Sequence, residues 1–438
     1  MISHDTKKVL SLAFPAALKH LVDILQVLID MLMVGTVSVA ALAAVGMSMQ
    51  FMMIVNVLMT LFVVGGNALI SRFIGQGRKK RASALLFSLV LLAISLGVVV
   101  SISGYFGAYH FYAWMGATPD VVKEGGIYFR VISLGIIVIF LDTLLYNALS
   151  AAGDTKSSLY IKLVSSGFNA GMNYLLIFGH LGFPALGIQG AAIATVIAYT
   201  FNNIAYFILI KKMNSTLDFL PLIRLKDIKR VLKVGYAAAI DRGISSLSFL
   251  FFVSIITAYG TAELAGYQVG LRVEGIAFMP GFGFAIAAMA LVGQNIGARD
   301  FDKAYNMGII SGRIAYIFMG SVGIIMILFP EYLVHFFTKD ALTIAVASKY
   351  LILVGLAQIP LAIMFVYAAS LRGAGATKTT LKVNLVSLWI FRLIPSYIAY
   401  KMGFGVVAIF AIMNLETLIK GVIYWRIYSK KEWLHTKV

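Results

Sequence analysis

Within the apolar stretches of this 438-residue chain, a handful of ionisable and amide side chains could do chemistry. The first long apolar run carries Asp23 and Asp30, seven residues apart and therefore on one face of a helix. Lys19 precedes Asp23 by four residues, the spacing of an internal ion pair, so Asp23 reads as structural. Asp30 has no basic residue within one turn. A carboxylate in apolar surroundings without a counter-charge tends to take up a proton or a cation, so Asp30 is the candidate coupling group. Asn169 and Asn173 stand four apart on one helix face and, with Thr195, offer neutral oxygens to a hard cation or hydrogen bonds to a carboxylic acid. The bland alternatives are that the asparagines bond between helices and that Thr195 bonds its own backbone. Asp142, with Tyr146 and Asn147, forms a further polar cluster. Arg272 and Glu274 are two residues apart and do not face each other on a helix, so Glu274 needs a partner from another helix or a proton. Asp241–Arg242 completes the set.

These groups matter because of where the chain must put them. It is 61% hydrophobic and 12% charged, with 36 Lys and Arg against 18 Asp and Glu. Soluble domains are about half apolar and a quarter charged, so the expected solvent is lipid. A membrane helix needs about 20 apolar residues. Twelve such runs are expected, over about 9–34, 42–71, 83–108, 126–148, 159–179, 187–210, 231–258, 264–292, 307–329, 347–369, 381–400 and 404–426. The strand alternation of a membrane barrel is absent. The N-terminal MISHDTKKVL leads into the first run without a small-residue cleavage site, so no cleavable secretory signal is expected. No cysteine is present, which excludes disulfides and thiolate metal sites.

Lysine and arginine give the expected orientation. With the N-terminus in the cytoplasm, cytoplasmic loops carry Arg78–Arg81, Lys156, Lys162, Lys211, Arg224, Lys226, Lys229, Arg230 and Lys233, among others. The opposite loops hold Lys123, Lys339 and Lys401. The basic charge is then a topology signal, and no nucleic-acid partner is expected. Both termini are expected in the cytoplasm, with the chain in the inner (plasma) membrane.

The chain also repeats itself. LSAAGDTKSSL (149–159) returns as LRGAGATKTTL (371–381), with six of eleven residues identical. KKVLSLAFPAAL (7–18) pairs with KRVLKVGYAAAI (229–240), and RFIGQGRKKR (from Arg72) with QNIGARDFDK (from Gln294). All three pairs share an offset of 222 residues. The expected fold class is therefore an all-α membrane protein of twelve transmembrane helices in two pseudo-twofold-related six-helix lobes. The lobes are 1–210 and 231–438, the second with a short basic tail, joined by a cytoplasmic linker at 211–230. In the repeated phrase, Gly153 and Gly375 are expected to end helices. GAGATKT lacks the spacing of a phosphate-binding loop, so ATP-driven transport is not indicated. Pro15 is either a kink in the first helix or a harmless proline near its start.

At these residues the chain resembles the multidrug and toxic compound extrusion (MATE) family of the multidrug/oligosaccharidyl-lipid/polysaccharide flippase superfamily. VLIDMLMVG (27–35) is similar to the family's first-helix segment, and the resemblance makes Asp30 the acidic residue of the N-lobe cavity. NAGMNYLLIFG resembles the fifth-helix pattern that supplies Asn169 and Asn173. GIQGAAIATV resembles the sixth-helix signature that supplies Thr195, and FMPGFGFAIAAMALVGQNIGA resembles the eighth-helix signature of a bacterial subset. Two departures stand out. Where some members place acidic residues in helices 7 and 10, this chain has Ser245 and, approximately, Leu361. Where some relatives have aspartate, it has Asn173.

The resemblance implies a secondary active antiporter, not an enzyme, exporting cationic or amphipathic organic compounds in exchange for H⁺ or Na⁺ by alternating access. Asp30, Asn169, Asn173 and Thr195 are the expected cation-coupling residues, and Glu274, Asp142 and Arg272 a secondary polar or proton site. No cofactor beyond the coupling ion is expected, and Asp30 would hold a metal ion only if that ion is Na⁺. The remaining expected partners are membrane lipid, with the protein a monomer. A lipid-linked saccharide flippase is the alternative. It is disfavoured by the few basic residues inside spans, chiefly Lys19, Arg130, Arg242, Arg272, Arg313 and Arg392. A channel is disfavoured by the lack of a glycine-rich filter motif.

Overall fold

The computed structural model describes residues 3–212 and 215–436. Each of the twelve expected runs is helical: α1 (His4–Gly35), α2 (Val39–Gly75), α3 (Lys79–Trp114), α4 (Pro119–Ala152), α5 (Lys156–Phe178) and α6 (Ile188–Lys212) in the first half. In the second half come α7 (Leu225–Thr257), α8 (Thr261–Gly297), α9 (Phe301–Leu328), the two-part α10 (Ala341–Leu356 and Gln358–Gly373), α11 (Thr377–Lys401) and α12 (Val406–Ser429). Ten are long and apolar enough to cross a membrane on their own, and the bent α10 makes eleven. The helix outside that set is α5, whose Lys162, Asn169 and Asn173 dilute its apolar face. Large side chains such as Phe106, Leu134 and Ile317 are more than half exposed. Lipid makes that exposure inexpensive, whereas water would not. This is a multi-pass membrane protein.

Prolines shape the second half. α10 bends by 58° between its two parts, where Pro360 removes the amide that would bond back to Leu356. In α11, Ser387–Leu393 widens into π-helix ahead of Pro395, and the Ile394 N–H reaches back five residues to the Trp389 carbonyl. By contrast α1 runs unbroken through Pro15.

The repeat is visible in the packing. In the first half α2, α3 and α4 pack mutually, α4 packs on α6, and α6 on α5; in the second, α8, α9 and α10 pack mutually, α10 packs on α12, and α12 on α11. The turns recur too. Gly153 and Gly375 both end their helices in the left-handed conformation, at φ 96° and 79°. At the same offset, Gly77 (φ 71°) corresponds to Arg299 (φ 62°), and Leu181 (φ 55°) to Gly403 (φ 78°). One copy of each pair uses glycine, and the other forces a chiral residue into the same backbone shape.

By contact the molecule forms two compact units, Leu18–Leu232 and Met1–Ala17 with Lys233–Val438. The start of α7 thus belongs with the first-half helices, and the start of α1 with the second-half helices. Small residues permit both arrangements. A Cβ at Gly65 of α2 would collide with the Val231 carbonyl, and one at Gly283 of α8 with the Ala13 carbonyl. The entry to α7 is tied to α3. Buried Asp227 accepts from Arg81 of α3 at 2.7 Å and from Arg224 at 3.0 Å, and the Arg224 N–H donates to Ser88 at 3.0 Å.

Candidate functional site

In the Leu18–Leu232 unit the polar groups gather between α1, α4 and α5. Asn173 donates through Nδ2 to Asp30 Oδ1 at 2.6 Å and to Asn169 Oδ1 at 3.3 Å. Both asparagines are fully buried, and one polar atom of each, Asn169 Nδ2 and Asn173 Oδ1, has no hydrogen-bond partner among the described residues. Asp30 joins no ion pair among the described residues. A carboxylate bonded to a neutral amide, which feels Lys162 only beyond ion-pair distance while that lysine is paired with Asp23, keeps the choice between a proton and a cation. Thr195 is differently engaged: its hydroxyl donates to the Ala191 carbonyl one turn back at 2.9 Å.

One turn or two toward the start of α1 the arrangement changes. Asp23 pairs with Lys19 at 2.9 Å, as its spacing predicts, and also with Lys162 of α5 at 2.9 Å. Lys162 donates further to Gln26 at 2.6 Å, which accepts from Ser166 at 2.9 Å. The sequence reading assigned Lys162 to a cytoplasmic loop. In the structure it is 5% exposed within α5 and helps neutralise Asp23. The misreading has a cause: one lysine near the start of a span looks like the loop before it until its acidic partner on another helix is known. Lys19 also lies 4.2 Å from the Tyr146 ring centroid. Asp142 is buried on α4, with Oδ1 lacking a partner among the described residues.

In the Lys233–Val438 unit a cavity of about 390 Å³ opens among α7, α8, α10, α11 and α12. Glu274 lines it and finds its partner on another helix, as two-residue spacing from Arg272 requires: the Tyr350 hydroxyl donates to it at 2.5 Å. Arg272 is exposed and does not line the cavity, so the structure separates it from Glu274. Ser245 and Leu361 both line the wall, where the resemblance noted missing carboxylates. Other acids are present instead. Glu416 of α12 is fully buried and pairs with Arg392 at 2.5 Å and Lys420 at 2.9 Å, with Ser387 donating to it as well. The π-turn matters here. An ordinary helix would point residues five apart in different directions, whereas the wider turn brings Ser387 and Arg392 to the same carboxylate. Asp241 accepts from Arg372 at 2.9 Å and Asn384 at 2.7 Å. Sequence reading passed over Glu416, Lys420, Arg372 and Asn384. The available signal was Glu416 and Lys420, an i, i+4 pair inside the last apolar run. The count of basic residues inside spans therefore rises by Lys162, Arg372 and Lys420.

The MatE family model matches this sequence twice, over residues 15–175 and 237–398. The chain belongs to the MatE family. Each half contains one family unit, in step with the internal repeat. Among curated relatives, the "Probable multidrug resistance protein NorM" of Thermotoga maritima is 29% identical over 400 residues, covering 90% of this chain and 86% of its own. Among solved structures, an outward-facing multidrug resistance MATE family transporter of the MOP superfamily aligns with a TM-score of 0.91 at 20% identity, covering 99% of this chain and 98% of its own. A MOP superfamily transporter from Pyrococcus furiosus aligns with a TM-score of 0.90 at 20% identity over 100% and 98%. It is described as having a binding pocket of reversed polarity that suggests a different function. These likenesses show the MATE two-lobe fold. Like its MatE relatives, the protein is a membrane transporter and not an enzyme.

Proposed function

We propose that this MatE protein exports small organic compounds, multidrug substrates included, across the inner membrane in exchange for protons, by alternating access with both termini in the cytoplasm. The observation that carries the reading is Asp30, an intramembrane carboxylate hydrogen-bonded to a neutral amide and left out of every described ion pair. One carboxylate in a low-dielectric site does not hold a proton and a cationic substrate together, so occupancy by one disfavours the other. That competition converts two binding events into exchange. A proton is preferred over Na⁺ because Asp30 has no acidic companions there: among the described residues no group of three or more acidic or histidine side chains could hold a metal ion. The names of the curated relatives support the multidrug assignment.

The test is efflux from liposomes containing purified protein, with a pH gradient and a Na⁺ gradient imposed separately. Export of a cationic dye driven by the pH gradient alone is expected. Export driven only by Na⁺ reassigns the ion, and flux indifferent to both removes antiport. A flippase of lipid-linked saccharides is the second reading, favoured by Arg242, Arg372, Arg392 and Lys420 around the second-unit cavity. It requires translocation of a labelled lipid pyrophosphate by the same liposomes.

A further inference from the structure

The second-unit cavity carries more positive than negative charge. Arg242, Arg372, Arg392 and Lys420 line it. Two carboxylates, Asp241 and Glu416, are committed to three of these cations. Glu274 accepts from Tyr350 and pairs with none of them among the described residues. Arg242 joins no described ion pair although it follows Asp241 in sequence and opens onto the cavity. Counting Asp241, Glu274 and Glu416 against the four bases leaves one cation in excess, and two if Glu274 carries a proton. Excess positive charge inside a membrane segment is costly unless something offsets it. The same cavity also has an apolar lining. Phe278, Phe282 and Phe365 form a cluster with ring centroids 4.9 to 5.8 Å apart, and all three line the same space.

We propose that this cavity is a binding subsite for aromatic carboxylates, with the carboxylate on Arg242, backed by Arg372 and Lys420, and the ring against the three phenylalanines. Arginine suits the role because its planar fork bonds a carboxylate through two parallel N–H groups. The volume fits the smaller end of organic-ligand pockets. The inference deepens the transport reading above by naming a substrate class, an anion or the anionic end of a zwitterion, and it is separable from the coupling role of Asp30.

The test uses purified full-length protein in a neutral detergent, with calorimetric titration of 2-naphthoate and of its uncharged isostere 2-naphthamide. The naphthoate is expected to bind at least about tenfold more tightly, the scale of one hydrogen bond to a charged group. Arg242→Gln is expected to erase that preference and leave naphthamide binding unchanged. This substitution orphans no carboxylate, so folding is retained, and Arg242→Lys is expected to restore part of the preference. Asp30→Asn is expected to bind naphthoate like the parent. That control keeps a failed coupling assignment distinct from a failed subsite. Equal affinity for the two probes, or a preference that survives Arg242→Gln, overturns the proposal. Displacement of naphthoate by inorganic pyrophosphate or phosphatidylglycerol at concentrations below its own Kd marks a phosphate-headgroup site and overturns it too.

Discussion

The two units share a packing pattern and differ in charge. At the 222-residue offset, Lys19 corresponds to Asp241, Asp23 to Ser245, and Asp30 to Phe252. The same helical positions thus hold a base and two acids in one unit, and an acid, a hydroxyl and a buried ring in the other. In the first unit one carboxylate, Asp23, is held by two lysines while another, Asp30, meets only an amide. In the second unit Glu416 and Asp241 are bound to bases, and a surplus arginine remains. The comparison teaches that repeated backbone does not constrain intramembrane charge. Helix packing in lipid depends on close contact of small side chains, so polar groups facing an internal cavity are free to diverge.

Substitutions that remove one side of this contrast should give effects of graded size. Asp30→Asn keeps the side-chain shape and removes the ionisable group. It is expected to reduce gradient-driven export in liposomes by about tenfold or more, within the usual range of coupling energies, with normal insertion and folding. Parental rates with normal gradient dependence would move coupling elsewhere, with Glu274 as the next candidate. Glu416→Gln should leave transport geometry in place but strand Arg392 and Lys420. Breaking a buried pair from one side costs about 3–5 kcal/mol, so a marked fall in the thermal unfolding midpoint in detergent is expected. Asp23→Asn should cost less, because that carboxylate is about a third exposed. Equal losses from the two would erase the difference in burial on which the comparison rests.

Gly65→Ala and Gly283→Ala probe the parts the units share. Each would push a methyl group into a carbonyl of the neighbouring helix, at about 1–3 kcal/mol for overpacking. Similar losses of folded yield for both, read by size-exclusion chromatography, are expected, and a harmless result at either would show that its helix contact has slack. The smallest effect is expected at the turns. Arg299→Gly and Leu181→Gly relieve a left-handed conformation by about 1 kcal/mol, so unchanged or slightly raised midpoints are expected for both. A clear destabilisation would mean that the side chains hold those turns.

The family, the twelve helices, the repeat and the lack of a basic neighbour for Asp30 along α1 were all legible in the residues. Span length, the offset of 222 and the isolation of one aspartate are properties of short windows or of a simple comparison between windows. Lipid makes those windows decisive, because an apolar run that must satisfy its own backbone has little choice but helix. Tertiary structure alone decided which charges meet across helices. Lys162 changed from a loop residue to the partner of Asp23 because α5 packs against α1. Glu416 acquired Arg392 because a π-turn before Pro395 turned that arginine inward. These two pairings join side chains 139 (162 − 23) and 24 residues apart in sequence. A charge carries no mark in the chain of a partner on another helix. The partner is set by which helix faces adjoin, and the low dielectric between them makes that choice energetically consequential.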